Sequence, residues 1–200
     1  MLTTIISNNC MGGCILHDQH IMYQSPTVSL QILPEEYSKF CSNIEHYMKA
    51  ELTEYKKENL SEKHKIYLMK MFDKIPDMPY GLVDDIIVCF QHYPTFEAGA
   101  DMWNRRKARF DPEHIAYIFY VRSRIYMNEL MDFVNLKLDN SIIFTEDFDV
   151  YIPMDHCRIN PPEGGHFLDI QSDGTRHFEK FWNPTKWIID VERNLYGQSE

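Results

Sequence analysis

Short apolar segments alternate along the chain with longer segments in which apolar residues recur every three or four positions. The short segments predict strands at residues 2–7, 28–33, 85–90, 115–121 and 141–145. The longer segments predict a helix that ends near His17, and further helices at residues 34–55, 56–74, 95–109 and 126–138. This alternation is typical of an α/β fold, in which a mostly parallel sheet carries helices on both faces.

The chain length suits a single layered α/β domain of residues 1–200. The motifs that attract attention all lie within residues 1–145. Residues 146–200 form a C-terminal segment that we expect to pack onto this body, because exposing its large aromatic side chains to water would be costly. These side chains are Phe178, Trp182 and Trp187.

Charge and cysteine content narrow the class of protein. Thirty acidic and 20 basic residues give a formal net charge of −10, which argues against nucleic acid as the main partner. No segment approaches the roughly 18–20 continuous apolar residues of a membrane helix, so no membrane span is expected. Five cysteines are an odd number for a disulfide framework and indicate reduced thiols in a cytoplasmic protein.

The first candidate site lies at residues 7–13, SNNCMGG, directly after the first predicted strand. Ligands of open α/β sheets bind beyond the carboxyl ends of strands. A thiol there, at Cys10, would also feel a helix N-terminus, which favours thiolate. Asn8, Asn9 and the backbone of Gly12 and Gly13 offer donors for an oxyanion or a phosphate. The alternative is a tight turn around a small buried cysteine.

A nucleophilic cysteine needs a base, and His92 ends the predicted strand at residues 85–90. If this strand and the first are parallel neighbours, His92 emerges at the same sheet edge as Cys10. His17 and His20 are the fallback partners. The alternative is a histidine that merely hydrogen-bonds to a loop.

A compressed C-x3-C-x2-H-x2-H spacing formed by Cys10, Cys14, His17 and His20 resembles a zinc site only loosely, and no metal is expected there.

The second candidate site is basic. One indole and four cations lie within residues 103–109, WNRRKAR, which is conspicuous in an acidic chain. Such a cluster can bind the phosphates of a nucleotide or coenzyme. The alternative is a solvated helix face whose cations pair with Glu97 and Asp101.

Several motifs in the same order resemble a bacterial family of unassigned function, whose members are often labelled exopolysaccharide or capsular polysaccharide biosynthesis proteins. They are SNNCMGG at 7–13, YQSPT at 23–27, YGLVDDI at 80–86, FQHY at 90–93 and the basic segment from Trp103. The resemblance covers about residues 3–145. It implies a pathway and not a reaction. A more distant likeness joins Asn9 and Cys10 to capsule O-acetyltransferases, which are thought to use a Cys–His pair with coenzyme A.

The leading hypothesis is therefore acyl transfer to a sugar or polysaccharide precursor, with Cys10 as nucleophile and His92 as base. Acetyl-coenzyme A is the expected donor, and association with membrane-bound polysaccharide machinery is a further expectation. The residues expected to bind the oxyanion or the substrate are Ser7, Asn8, Asn9, Gly12, Gly13, Ser25, Asp85 and Tyr93. Those expected to bind donor phosphates are Trp103, Arg105, Arg106 and Arg109.

Two other functions remain open. In a glycosyltransferase or sugar-phosphate transferase, Cys10 would be structural and a divalent ion would bind carboxylates among Asp84, Asp85, Asp147 and Asp149. In a non-catalytic accessory protein, Tyr- and Trp-rich loops would stack on sugar rings.

Overall fold

The structure is a computed structural model that describes residues 3–146 and 148–197. Within these residues the strands are β1 (Thr4–Ser7), β2 (Gln31–Ile32), β3 (Leu52–Tyr55), β4 (Tyr80–Val83), β5 (Ile86–Cys89), β6 (Ile115–Val121), β7 (Ser141–Thr145) and β8 (His156–Arg158). The α-helices are α1 (Met11–Asp18), α2 (Pro34–Ser42), α3 (Ile44–Lys49), α4 (Glu62–Phe72), α5 (Phe96–Lys107), α6 (Met127–Asn135) and α7 (Pro184–Tyr196). The predicted α/β class is confirmed.

A parallel sheet with the strand order β1-β6-β7-β8 forms the centre of the fold. Every residue of β6 and β7 is buried, as expected for strands covered on both faces. Side chains of α1 and α7 pack with Ile118 and Phe144 on one face. Side chains of α2 and α6 pack with Phe119 and Ile143 on the other. Helices on both faces of a parallel sheet are therefore confirmed.

A second sheet, antiparallel and ordered β2-β5-β4-β3, was not predicted. Strand β5, which we expected to neighbour β1 in the parallel sheet, belongs here and pairs with β4 through a tight turn at Asp84 and Asp85. Asp84 adopts a left-handed conformation with φ of 56°. A buried apolar run has the same sequence signature in either kind of sheet, so the pattern did not reveal this pairing.

The helix predicted at residues 34–55 is interrupted once and ends at Lys49, so the prediction is wrong for residues 50–55. Asn43, with φ −143° and ψ 48°, interrupts it between α2 and α3. Residues 52–55 then form β3, which pairs antiparallel with β4. The three- and four-residue apolar spacing persists across the break because both helices bury the same side, which contributes Tyr37, Phe40 and Tyr47 to the core.

The C-terminal segment packs against the face of the parallel sheet that carries α1. Phe178 and Trp187 are buried there with Ile118 and Phe144. An ion pair of 2.5 Å between Arg176 and Asp18 also joins this segment to the end of α1. Residues 166–168 consequently reach the carboxyl edge of the sheet, where they line a cavity beside Cys10.

Candidate active site

The thiol of Cys10 and the imidazole of His92 are in contact, with 3.1 Å between Sγ and Nε2. Cys10 follows β1 and caps the N-terminus of α1. His92 lies in the turn after β5. The structure thus brings together the two residues that the sequence suggested as nucleophile and base.

The short strand β2 explains how two different sheets supply this pair. The backbone N–H of Ile32 donates to the carbonyl oxygen of Asn8 across 2.9 Å, and Gln31 pairs with Cys89 at the end of β5. The premise of parallel neighbouring strands was therefore wrong. His92 reaches the edge beside β1 because β2 hydrogen-bonds to both segments.

Asn8 fastens the end of β1 to β6. Its Nδ2 donates to the carbonyl oxygen of Tyr120 over 3.0 Å, and its Oδ1 accepts from the N–H of the same residue over 2.8 Å. These bonds continue the strand ladder beyond the pair of Ser7 with Ile118. The Oδ1 and one N–H of the Asn8 side chain are thereby engaged with the backbone of Tyr120.

Asn9 organises the turn that presents the thiol. Its Oδ1 accepts the N–H of Met11 at 3.0 Å and the hydroxyl of Ser7 at 3.3 Å. Because the N–H of Met11 needs an oxygen acceptor, this bond fixes the orientation of the amide. Within the described residues the Nδ2 group of Asn9 has no hydrogen-bond partner, and Asn9 lines the cavity beside Cys10. It is the predicted amide donor that stays available to a ligand.

Ser25 supports β1 from within the core. Its hydroxyl lies 2.7 Å from that of Thr27, whose oxygen accepts the N–H of Ser7 at 3.1 Å. Ser25 and Thr27 are buried. The YQSPT motif therefore holds the strand that ends at Cys10, and Ser25 contacts this scaffold and not the cavity.

The two glycines after Cys10 allow the first turn of α1 to pack closely. A Cβ on Gly12 would lie 2.8 Å from the Cβ of Ser7, and one on Gly13 would lie 2.9 Å from Cγ1 of Val28. Both distances are too short for carbon atoms that are not bonded to each other. Amides of a first helical turn lack an intrahelical acceptor, so an oxyanion role for these two N–H groups stays a prediction.

Burial raises the pKa of the Cys10 thiol to about 12, and the neighbouring thiol of Cys14 adds to this effect. The thiol is therefore protonated at neutral pH, contrary to the thiolate that its position at a helix N-terminus suggested. Its sulfur lies 3.1 Å from Nε2 of His92 and 3.8 Å from Oε1 of Gln91, an acceptor for the S–H. The geometry suits a thiol that loses its proton to the imidazole as it attacks.

Tyr93 and Arg106 hold the turn that carries His92. Nη1 of Arg106 donates to the hydroxyl of Tyr93 at 2.9 Å and to the carbonyl oxygen of Val28 at 2.7 Å. The ring of Tyr93 also packs edge-on against Phe90. Tyr93, predicted to bind substrate, is thus a positioning residue for its neighbour His92. Within the described residues, Nδ1 of His92 has no hydrogen-bond partner, so the pair is a dyad.

A cavity of about 280 Å³ opens beside Cys10. Its polar lining consists of amide, guanidinium and imidazole groups, and its apolar lining is largely aromatic. The polar residues besides Cys10 are Asn9, Gln31, Gln91, Arg122 and His166, and the apolar ones include Met71, Phe72, Tyr120 and Phe167. The rings of Tyr120 and Phe167 stack at 4.5 Å. The cavity can hold a ligand of mixed polarity next to the sulfur.

Arg122, Gln91 and His166 line this cavity but escaped the sequence reasoning. A signal existed for Arg122, since a cation directly after a fully buried strand faces the carboxyl edge of the sheet. Gln91 carried a signal through its neighbour His92. No pattern marked His166, which enters from the C-terminal segment.

The basic segment of α5 forms no phosphate site at Cys10. Trp103 is 1% exposed and Arg106 is 5% exposed, and both belong to the interior. Arg105 is exposed and pairs with Asp101 at 3.7 Å, and Arg109 is exposed as well. Successive helical residues point in directions about 100° apart, so the cluster in sequence is dispersed in space.

The described carboxylates of the metal-dependent alternative are engaged by other side chains of the protein. Asp85 pairs with Lys39 and accepts the Tyr47 hydroxyl, on the β4–β5 turn. Asp84 pairs with His46 at 2.7 Å. Asp149 pairs with Arg158 at 2.7 Å, whereas Asp147 lies outside the described residues. Over residues 3–146 and 148–197, no three His, Cys, Asp or Glu side chains are grouped to hold a metal ion.

A larger groove of about 540 Å³ lies near the opposite, amino edge of the parallel sheet. The described residues that line it include Asp139, Asp155 and Asp190 but no cysteine or histidine. Size alone therefore does not identify the reactive site.

The fold and the site define an α/β protein that presents a Cys–His pair at the carboxyl edge of its parallel sheet. The chain belongs to the family described as "Domain of unknown function (DUF1919)", whose model matches residues 2–152. An uncharacterized protein of Haemophilus influenzae is 28% identical over 142 residues, which are 71% of this chain and 61% of that relative. The chain thus spans about three fifths of the relative's length. Membership of a family without an assigned function is confirmed, and the polysaccharide label stays a prediction.

No helix in residues 3–146 or 148–197 combines the length and the hydropathy that spanning a membrane requires.

Proposed function

We propose that this protein is an acyltransferase in which Cys10 is the nucleophile and His92 the general base. The observation that carries the proposal is the contact of 3.1 Å between Sγ and Nε2, beside a cavity that Cys10 lines. A Cys–His contact of this length is within the range expected for a nucleophile and its base.

The first half of the reaction transfers the acyl group to the enzyme. Cys10 Sγ attacks the carbonyl carbon of an acyl thioester while Nε2 of His92 takes the thiol proton. The tetrahedral intermediate then collapses, the donor's C–S bond breaks, and the leaving thiolate receives the proton from His92.

The second half transfers the acyl group to a hydroxyl of the acceptor. His92 takes the hydroxyl proton as the oxygen attacks the thioester on Cys10. When this intermediate collapses, the Cys10 C–S bond breaks, an ester is released, and His92 returns the proton to the sulfur.

The amide side chain of Asn9 is suited to the negative charge that develops on the carbonyl oxygen. Its Nδ2 is available because Oδ1 accepts the N–H of Met11, whereas Gln91 presents its acceptor Oε1 to the sulfur. A preorganised donor of this kind typically contributes about 10²–10³-fold to the rate.

A sugar or polysaccharide precursor is the proposed acceptor, in a cytoplasmic step of exopolysaccharide or capsule synthesis. Amide side chains that bond hydroxyl groups and aromatic faces that stack on sugar rings both line the cavity. Acetyl-coenzyme A is the proposed thioester donor. The pathway rests on the motif resemblance, and the reaction rests on the dyad.

The test compares Cys10→Ala and His92→Gln with Cys157→Ala, a change at a half-buried cysteine outside the cavity lining. Release of free thiol from acetyl-coenzyme A is measured with capsule monosaccharides as acceptors. We expect no turnover from Cys10→Ala and a loss of about 10²–10⁴-fold from His92→Gln, with Cys157→Ala unchanged. Trapping of a radiolabelled acetyl group on the protein should require Cys10.

Undiminished turnover by folded Cys10→Ala would exclude the nucleophile assignment. Binding of sugars without turnover in the wild type would instead favour the non-catalytic accessory function.

A further inference from the structure

Arg122 lies on the wall shared by two cavities. It lines the cavity of Cys10, and it also lines a second cavity of about 340 Å³ formed with α4 and the turn after β6. Met71 lines both cavities as well. The two spaces therefore adjoin at these residues and together extend from the sulfur to Lys70 and Ser123.

One side of the Arg122 guanidinium is held by protein and the other is free. Nε lies 3.5 Å from Oε1 of Glu146, a residue at the end of β7 that is nearly enclosed. Among the described residues, Nη1 and Nη2 of Arg122 have no hydrogen-bond partner, and half of the side chain is exposed. An arginine whose Nε faces a protein carboxylate presents its two Nη groups as a fork that matches two oxygens of one anion.

Other donors face the same space from both sides. Lys70 and Ser123 line the second cavity with Arg122, and His166 lines the Cys10 cavity with it. Burial and the positive charge of Arg122 lower the pKa of His166, against the opposing effect of Asp169, which is consistent with Arg122 lying close to it. A chain with a net charge of −10 thus places two cations, Lys70 and Arg122, around the second cavity.

We propose that Arg122, with Lys70 and Ser123, binds a phosphate group of a ligand whose other end reaches Cys10. A single carboxylate would be satisfied by the fork of Arg122 alone. A phosphate offers a third oxygen and additional charge, which the ammonium of Lys70 and the hydroxyl of Ser123 complement. The site replaces the α5 cluster as the anion-binding region of the protein. The relation to Cys10 rests on the proposed function, but the phosphate site itself does not.

Inorganic pyrophosphate is the probe, and malonate is the carboxylate comparison, in calorimetric titrations of the full chain. The double variant Arg122→Gln/Glu146→Gln removes the fork together with the carboxylate that faces it, so the net charge of the pair is unchanged. Lys70→Gln is a second variant, on the exposed side of α4. It tests the phosphate site without changing Arg122 or Glu146, so a folding defect of the double variant would not leave the site untested. Arg105→Gln is the matched control, because Arg105 is an exposed arginine outside both cavities.

We expect pyrophosphate to bind at least about tenfold more tightly than malonate. The double variant should weaken pyrophosphate binding about tenfold or more, and Lys70→Gln about threefold, as the loss of charge-assisted hydrogen bonds implies. Arg105→Gln and Cys10→Ala should bind like the wild type. Absence of pyrophosphate binding at millimolar concentration, equal binding of malonate, or unchanged binding by both variants would overturn the proposal.

The two proposals can fail separately. If the protein binds pyrophosphate but forms no acyl-Cys10, the phosphate site is supported and the acyltransferase is excluded. The Arg122→Gln/Glu146→Gln variant could instead transfer acyl groups with an unchanged KM for the donor. That result would support the acyltransferase and exclude the phosphate site.

Discussion

The carboxyl edge of the parallel sheet and the basic helix α5 differ in how their chemistry is encoded. At the sheet edge, Cys10, His92 and Arg122 are far apart in sequence, and they line or adjoin one cavity. On α5 the cations are nearly consecutive, but Arg106 is buried while Arg105 is exposed. Strand topology concentrates side chains at one edge, whereas the helical repeat disperses neighbouring residues around an axis.

This difference changes how an unusual cluster in the sequence should be read. The single buried cation of α5 stabilises the turn that carries His92, so the segment contributes to the site indirectly. Its guanidinium also lies 5.1 Å from the ring centre of Tyr23. A motif can therefore accompany a functional site because it positions that site, without any contact to a ligand.

The strongest test of this comparison is Arg106→Met. Removing the guanidinium leaves the carbonyl of Val28 and the hydroxyl of Tyr93 without their donor, which costs about 1–3 kcal/mol of unfolding free energy. Activity should fall further than the loss of folded protein explains, because the His92 turn loses its support. Urea denaturation and the turnover of folded protein provide the two measurements.

Arg106→Lys is the control for this test, since it keeps the charge and one donor and should recover part of the stability. If Arg106→Met were as stable and active as the wild type, the α5 cation would not position the site, and the contrast between the two regions would fail.

Sequence reasoning anticipated the contact of Cys10 with His92 but not the reason for it. The carboxyl end of an apolar strand correctly marked Cys10 and His92 as residues of a sheet edge. The same reasoning placed β5 in the wrong sheet, because a short buried run of apolar residues does not reveal which strand pairs with it. Strand β2 lies within the strand predicted at residues 28–33, but a pattern this short does not reveal that the strand bridges the two sheets.

The remaining site residues show the same limit. Arg122 was predictable in principle from its position after β6. His166 was not, since it reaches the cavity only through the packing of a segment that lacks a periodic pattern. That segment also lies beyond the family match, which ends at residue 152.

The second test concerns the protonation of Cys10, for which the sequence and the structure give opposite answers. With a thiol pKa of about 12, the reactive thiolate is a minor form at neutral pH. Its alkylation rate with iodoacetamide should therefore rise about tenfold per pH unit between pH 7 and 10 without reaching a plateau. Peptide mapping by mass spectrometry follows Cys10 separately, with Cys157 as the internal comparison. A rate that is already constant above pH 6 would indicate a thiolate–imidazolium pair and contradict the protonated dyad.

The smallest effect is expected from two exposed arginines, Arg105 on α5 and Arg109 just after it. The double variant Arg105→Gln/Arg109→Gln should change the unfolding free energy by no more than about 0.5 kcal/mol, because a surface ion pair such as that of Arg105 with Asp101 contributes little. The KM for the acyl donor should also stay within about twofold, since neither arginine lines the cavities beside Cys10 and Arg122. Thermal unfolding and donor titration measure the two quantities. A tenfold rise in KM would indicate that the donor phosphates bind to the basic segment of residues 103–109. The sheet edge would then provide only Cys10 and His92.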